Sequence, residues 1–141
     1  MKRIQTLVAG VVLAAVALQA GAADLLKPQK ITAAFAAGPV FSDPKAGPDP
    51  EDKNATDYAI GYSKDKKMEA GLYKAGASDT AIESYPVDEF CYFLTGVVTL
   101  ASTDGTKVVL HPHEAVFIPK GWKGRWITKG YTKYYVTYDS K

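Results

Sequence analysis

The sequence has one cysteine, two histidines and nearly balanced charge, with 17 basic against 15 acidic residues. A single cysteine cannot close an internal disulfide, and Cys91 inside the apolar run Phe-Cys-Tyr-Phe-Leu reads as a buried, inert thiol. His111 and His113 flank Pro112 and read as surface turn residues rather than a metal pair. No apolar run approaches the roughly 20 residues that a membrane-spanning helix needs. The longest, Leu7 to Leu18, is about a dozen. There is no internal repeat, no long helical period, and no low-complexity tract beyond one proline-rich stretch.

That apolar run is preceded by Lys2 and Arg3 and followed by Ala20-Gly21-Ala22, the pattern of a cleavable secretory leader over residues 1–22. Removing it takes away two cations and no anions, so 17 minus 2 leaves 15 basic residues against 15 acidic ones. A neutral chain without a clustered basic face argues against a nucleic-acid partner. The expectation is a periplasmic or secreted protein with no membrane attachment after cleavage. The remaining residues, about 119, suffice for one domain but not comfortably for two.

Residues 38–54 carry Pro39, Pro44, Pro48 and Pro50, which argues against helix or interior strand. Residues 23–57 are therefore read as a proline-rich arm, and 58–141 as the folded domain. From Met68 onward, short runs rich in Val, Ile, Thr, Tyr and Phe alternate with Gly, Pro and Asp, the texture of an antiparallel all-β domain. Strands are expected at 68–74, 81–85, 89–94, 97–102, 107–110, 115–118, 123–128 and 133–138. Asp104-Gly105 supplies a tight hairpin, and Pro119-Lys120-Gly121 a second turn. Eight short strands in this order suit a jelly roll.

Within Tyr85 to Tyr138, the spacing Glu89-x6-Gly96 and the turn Pro119-x-Gly121 resemble the two motifs of the cupin superfamily. The likeness is greatest to the branch containing ureidoglycine aminohydrolase-like and ethanolamine-utilisation cupins. It implies a double-stranded β-helix, or jelly-roll barrel, whose interior holds the site. It also implies where metal ligands would stand: Glu83, Tyr85 and Glu89, or Ile82, Ser84 and Glu89, with a fourth at Gly124. Only Glu89 is a ligand type shared with the usual pattern. Of the ureidoglycine aminohydrolase set, only Glu83 is carried over, so that activity is not expected. No metal and no cofactor are expected.

By strand alternation Glu83 and Tyr85 share a face, and the family register directs that face, Glu89, Gly124 and Trp126 into the barrel. Two carboxylates there, Glu83 and Glu89, would repel and raise one pKa. The basic residues Lys123, Arg125, Lys129 and Lys133, interleaved with aromatics, are expected on the outer face, where charge blunts a sheet edge. The resulting expectation is a binding pocket for a small molecule formed by Glu83, Tyr85, Glu89 and Trp126. The alternative is an enzyme with Glu89 as its catalytic base, or with an atypical carboxylate metal site. A homodimer is a further expectation, since cupins often pair.

Overall fold

The computed structural model describes residues 28–140. The secretory leader read at residues 1–22 lies outside the described residues. A one-turn helix, α1 (Ala33–Ala36), begins at Thr32, whose hydroxyl accepts from the Phe35 amide, and a 3-10 turn follows at Pro39–Ser42. Then come eight strands: β1 (Gly47–Pro48), β2 (Ala55–Tyr62), β3 (Met68–Ala75), β4 (Ser78–Ile82), β5 (Asp88–Ser102), β6 (Lys107–Leu110), β7 (Ala115–Ile118) and β8 (Gly124–Tyr138). The all-β barrel expected from the sequence forms, and every pairing in it is antiparallel.

Two 15-residue strands, β5 and β8, organise everything else. They pair along their whole length, each bordered by two different strands in turn. The first half of β8 carries β4 and the second half carries β3. The first half of β5 carries β7 and the second half carries β6. Beyond β3, β2 and β1 extend the sheet.

The sequence reading breaks β5 and β8 into two strands each, and the breaks mark real features. The β5–β8 register shifts between Phe93 and Thr95 and again between Gly96 and Val98, around Gly96 and Gly130, both with positive φ. An extra residue in a strand exchanges its two faces. Accordingly Glu89, Cys91 and Phe93 face inward before the shift, and Val98 and Leu100 after it. On β8, Gly124, Trp126 and Thr128 are buried, and beyond Gly130 the buried set becomes Tyr131, Lys133 and Tyr135. The strand expected at 81–85 lies at Ser78–Ile82, because its pairing runs from Ser78 against Thr128 to Ile82 against Gly124. β2 has no counterpart in the sequence reading.

The proline-rich segment is built into the barrel. Val40 is fully buried with Ala36, Tyr58 and Leu72, so helix α1 and the turn after it cover the outer face of β2 and β3. The segment continues into β1, paired to β2, and β2 itself starts at Ala55, upstream of the expected boundary at residue 58. The other core cluster fills the barrel with Phe93, Val98, Leu100, Ile118 and Trp126. Among the described residues, no helix is long and apolar enough to cross a membrane.

Candidate functional site

Near the start of β5 the usual polarity of a strand is inverted: Phe90 is 48% exposed, whereas its neighbour Glu89 is 4% exposed. A buried carboxylate needs partners, and Glu89 has two. Its Oε1 accepts from Lys133 Nζ at 2.7 Å, and its Oε2 accepts the Tyr85 hydroxyl proton. Lys133 is 5% exposed, and its ammonium lies 5.0 Å from the Trp126 ring centre, 5.4 Å from Tyr73, 5.9 Å from Tyr131 and 6.0 Å from Tyr135. Four aromatic faces and one carboxylate thus replace the water that a lysine ammonium would otherwise hold. Burial alone would discharge Lys133, but Glu89 outweighs it and holds the ammonium well above its ordinary pKa.

Lys133 is the principal residue that the sequence reading misplaced. With alternation counted from Trp126 through Lys129, it falls on the outer face. The register shift at Gly130 turns it inward, while Lys123, Arg125 and Lys129 remain exposed. The expected pair of repelling carboxylates is likewise corrected, because the close partners of Glu89 are an ammonium and a phenol. Gly130, an isolated glycine inside a strand pattern and so a mark of a bulge, is the one signal in the sequence that could have reversed the count.

Tyr85 is fixed by both motifs at once. Its amide donates to the Trp122 carbonyl and its carbonyl accepts from the Gly121 amide, each at 2.8 Å, so the Pro119-Lys120-Gly121 turn clamps the start of the first motif. Glu83 and Tyr85 lie in the bend after β4, not on a strand. The Tyr85 ring is stacked on Trp126, with 9° between planes and 6.4 Å between centres. Burial chiefly raises the pKa of Tyr85, and the neighbouring Glu89 adds to this. Tyr131, also buried, is pushed up to about 12.

The resemblance to metal-binding cupins permits a test of fit, and the residues fail it. At the position of the usual fourth ligand, Gly124, a side chain has no room: a Cβ there would lie 2.3 Å from the Ala101 carbonyl oxygen and 2.6 Å from the Trp122 ring. The Lys133 ammonium already occupies Glu89, and it would repel a divalent cation. Among the described residues, no group of three or more His, Cys, Asp or Glu side chains is arranged to hold a metal. His111 and His113 stand in an exposed turn, with His113 Nδ1 3.3 Å from the Tyr92 hydroxyl.

Cys91 sits beneath the pair, 3.5 Å from Lys133 Nζ, and burial pushes its thiol up to about 12. The thiolate is the reactive form, so at about pH 8 the native protein should resist iodoacetamide while the urea-unfolded chain is alkylated fully. Rapid native labelling would contradict this placement.

Above the ion pair opens a cavity of about 960 Å³. Glu83, Tyr85, Glu89 and Trp126 all line it, with Glu83 exposed at its rim. The sequence reading missed the other side of the wall: Asp49 from the proline-rich segment, Asp57 of β2, Glu69 and Tyr73 of β3, and Tyr135 of β8. Tyr73 donates to Asp49 at 2.7 Å. Burial would raise Asp49, but Tyr73 and the amides of Glu51 and Asp52 hold it below its ordinary pKa.

A family model described as the EutQ-like cupin domain matches residues 62–135. No curated protein matches the sequence. Among solved structures, a protein of unknown function from Rhizobium leguminosarum bv. viciae is 25% identical, with TM-score 0.57, covering 81% of this chain and 99% of its own. The Clostridium difficile EutQ protein is 23% identical with TM-score 0.51, covering 66% of this chain and 75% of its own. A putative ethanolamine utilization protein Q from Salmonella typhimurium is 19% identical with TM-score 0.52, covering 62% and 71%.

Proposed function

We propose that this chain, which belongs to the EutQ-like cupin family, is an exported domain that binds a small molecule in its barrel, over a centre closed by its own lysine–glutamate pair. The observation that carries this reading is the cavity of about 960 Å³, large enough for a metabolite-sized ligand. Its wall joins aromatic rings, which enclose, to a few polar groups, which orient. The leader pattern at residues 1–22 supports export.

The geometry favours binding over base catalysis by Glu89. A general base must take up a substrate proton. On Glu89 that proton would cancel the charge that pairs with the buried Lys133 ammonium, leaving the ammonium buried without its counter-ion.

Of the two tryptophans, only Trp126 lines the cavity. In a Trp122→Phe variant the emission therefore reports on the cavity wall alone. Screening that variant against small anionic, neutral and cationic compounds should give saturable emission changes for one chemical class. If no class changes the emission at millimolar concentration, the binding reading fails.

A further inference from the structure

The outer face of the sheet, opposite the cavity, carries its own pattern. Strands β7, β5, β8 and β3 lie side by side there, and directly paired residues point to the same side of a sheet. Phe90 pairs with Phe117 on one side and Val136 on the other, and Val136 pairs with Ala70. The row Phe117, Phe90, Val136, Ala70 therefore crosses four strands on the outer face, while Glu89 and Tyr135 point inward. Two residues along the strands, Asp88, Tyr138 and Met68 form a second row.

An antiparallel sheet normally turns polar residues to water. This one turns rings and aliphatic chains. Phe117 is 61% exposed, and Phe90, Tyr138, Met68 and Val136 are each between 38% and 48% exposed. At about 200 Å² for a fully accessible large side chain, these five leave on the order of 450 Å² of apolar surface bare. Further along the same strands the chain covers this face itself: Leu72, two residues beyond Ala70, is fully buried in one cluster with Val40, and Tyr134, two residues before Val136, packs against that cluster. The proline-rich segment thus seals one half of an apolar face and leaves the other half open.

Charge around the open half is already balanced. Its two rows hold one charged side chain, Asp88, whose Oδ1 accepts from the Lys120 amide. Beside them, Lys120 and Asp139 are closed as an ion pair at 3.2 Å. Without the leader the chain carries 15 basic and 15 acidic residues, so two copies approach with no net repulsion. An aromatic centre poor in charge, with paired charges at its rim, is the composition of a protein–protein contact.

The order of sizes in the first row selects the occupant. The row descends from Phe117 at the sheet edge to Ala70 on β3. Two such faces stacked about a two-fold axis parallel to the strands, between β5 and β8, reverse the row, so Phe117 lies over the second copy's Ala70 and Phe90 over its Val136. In the second row Asp88 then meets the second copy's Tyr138 hydroxyl, a donor for its carboxylate. A two-fold axis across the strands would instead set Phe117 on Phe117, leave a gap at Ala70 and oppose Asp88 to Asp88. The face is complementary to itself in the first arrangement, as an isologous contact requires.

We propose that two copies of this chain pair sheet on sheet through Phe117, Phe90, Val136 and Ala70, about a two-fold axis parallel to β5 and β8. This gives the expected homodimer a surface and a symmetry. Core contact from both copies is on the order of 900 Å², and the rim brings it to the size of a small specific interface, with a dissociation constant of micromolar order. The cavities lie on the inner side of the sheet, so pairing leaves both of them open.

The test is sedimentation equilibrium of the leaderless protein from about 1 μM to 1 mM. Wild type should show a reversible monomer–dimer equilibrium. Phe117→Arg should weaken it by about tenfold or more with the fold retained by circular dichroism, since this side chain lies outside the core. Phe90→Lys provides a second variant should the first misfold. Val109→Lys, on the exposed face of β6 away from both rows, should leave the equilibrium unchanged. Ala70→Phe sets a ring beneath the second copy's Phe117 and should weaken pairing, whereas the exchanged pair Ala70→Phe with Phe117→Ala should recover it. A wild type that stays monomeric throughout, an assembly larger than two, or pairing that survives both Phe117→Arg and Phe90→Lys would overturn the proposal. Dissociation by Val109→Lys would move the contact to β6 and overturn it as well. An exchanged pair that folds but fails to recover would overturn the axis along the strands.

Discussion

Replacing Lys133 by methionine should destabilise the protein by roughly 3–5 kcal/mol, as measured by urea denaturation at neutral pH. Methionine preserves most of the side-chain length, so the loss comes from charge rather than volume. The Glu89 carboxylate, 4% exposed, would keep only the Tyr85 hydroxyl and lose the ammonium 2.7 Å away. Because both partners are almost completely buried, solvent screening gives no relief. The paired variant Lys133→Met with Glu89→Gln should recover most of the loss, since it removes the stranded charge while an amide can still accept from Tyr85. A single variant within about 1 kcal/mol of wild type would show that the pair is solvated and the centre open, contrary to the geometry.

Gly96→Ala should be the most damaging glycine substitution in the signature stretch, with an expected loss of about 3 kcal/mol or more. Two separate effects combine. Gly96 has φ +79°, where any side chain is strained, and a Cβ there would lie 2.0 Å from the Gly130 carbonyl oxygen and 2.8 Å from the Tyr131 Cα. Both obstructing atoms are backbone, so relief requires β5 and β8 to part at their shared register shift. Gly105, in the β5–β6 hairpin, is the natural control. Its φ is +89°, but nothing lies within 4 Å of its would-be Cβ, so Gly105→Ala carries strain without crowding. It should lose about 1–2 kcal/mol. Equal losses at the two positions would remove the crowding account and leave conformation alone.

The role of Gly96 also shows how far a sequence can be read. The spacing from Glu89 to Gly96, the Pro119-Lys120-Gly121 turn and the Asp104-Gly105 hairpin are local features with local causes, and each is found where the chain pattern put it. β6 forms at the expected residues as the hairpin neighbour of β5, and β7 also forms where expected, although its partner is the distant first half of β5. β4 lies a few residues early, since its limits are set by distant β8 rather than by its own composition. β2 went unread. Its short alternating run offers little local signal, and it is held by β3 and by the buried Val40 across the sheet.

The candidate site divides in the same manner. Glu83, Tyr85, Glu89 and Trp126 were legible through motif position, and they surround one cavity. Asp49, Asp57, Glu69, Tyr73 and Tyr135 were not, because they come from a proline-rich segment and three strands that meet only when the barrel closes. Nothing within the proline-rich stretch marks Asp49 as a cavity residue until the Tyr73 hydroxyl reaches it.

Composition, turn residues and short-range alternation by themselves determined a β-barrel and the positions of its two motifs, because those depend on interactions between near neighbours along the chain. The side of the sheet on which a residue finishes is a cumulative property. One extra residue in β8 near Gly130 reverses every side chain after it, and so Lys133 is drawn from the surface to the ion pair at the barrel's centre. Tertiary structure alone decided that, because a register shift is fixed by the partner strand, which the local sequence does not contain.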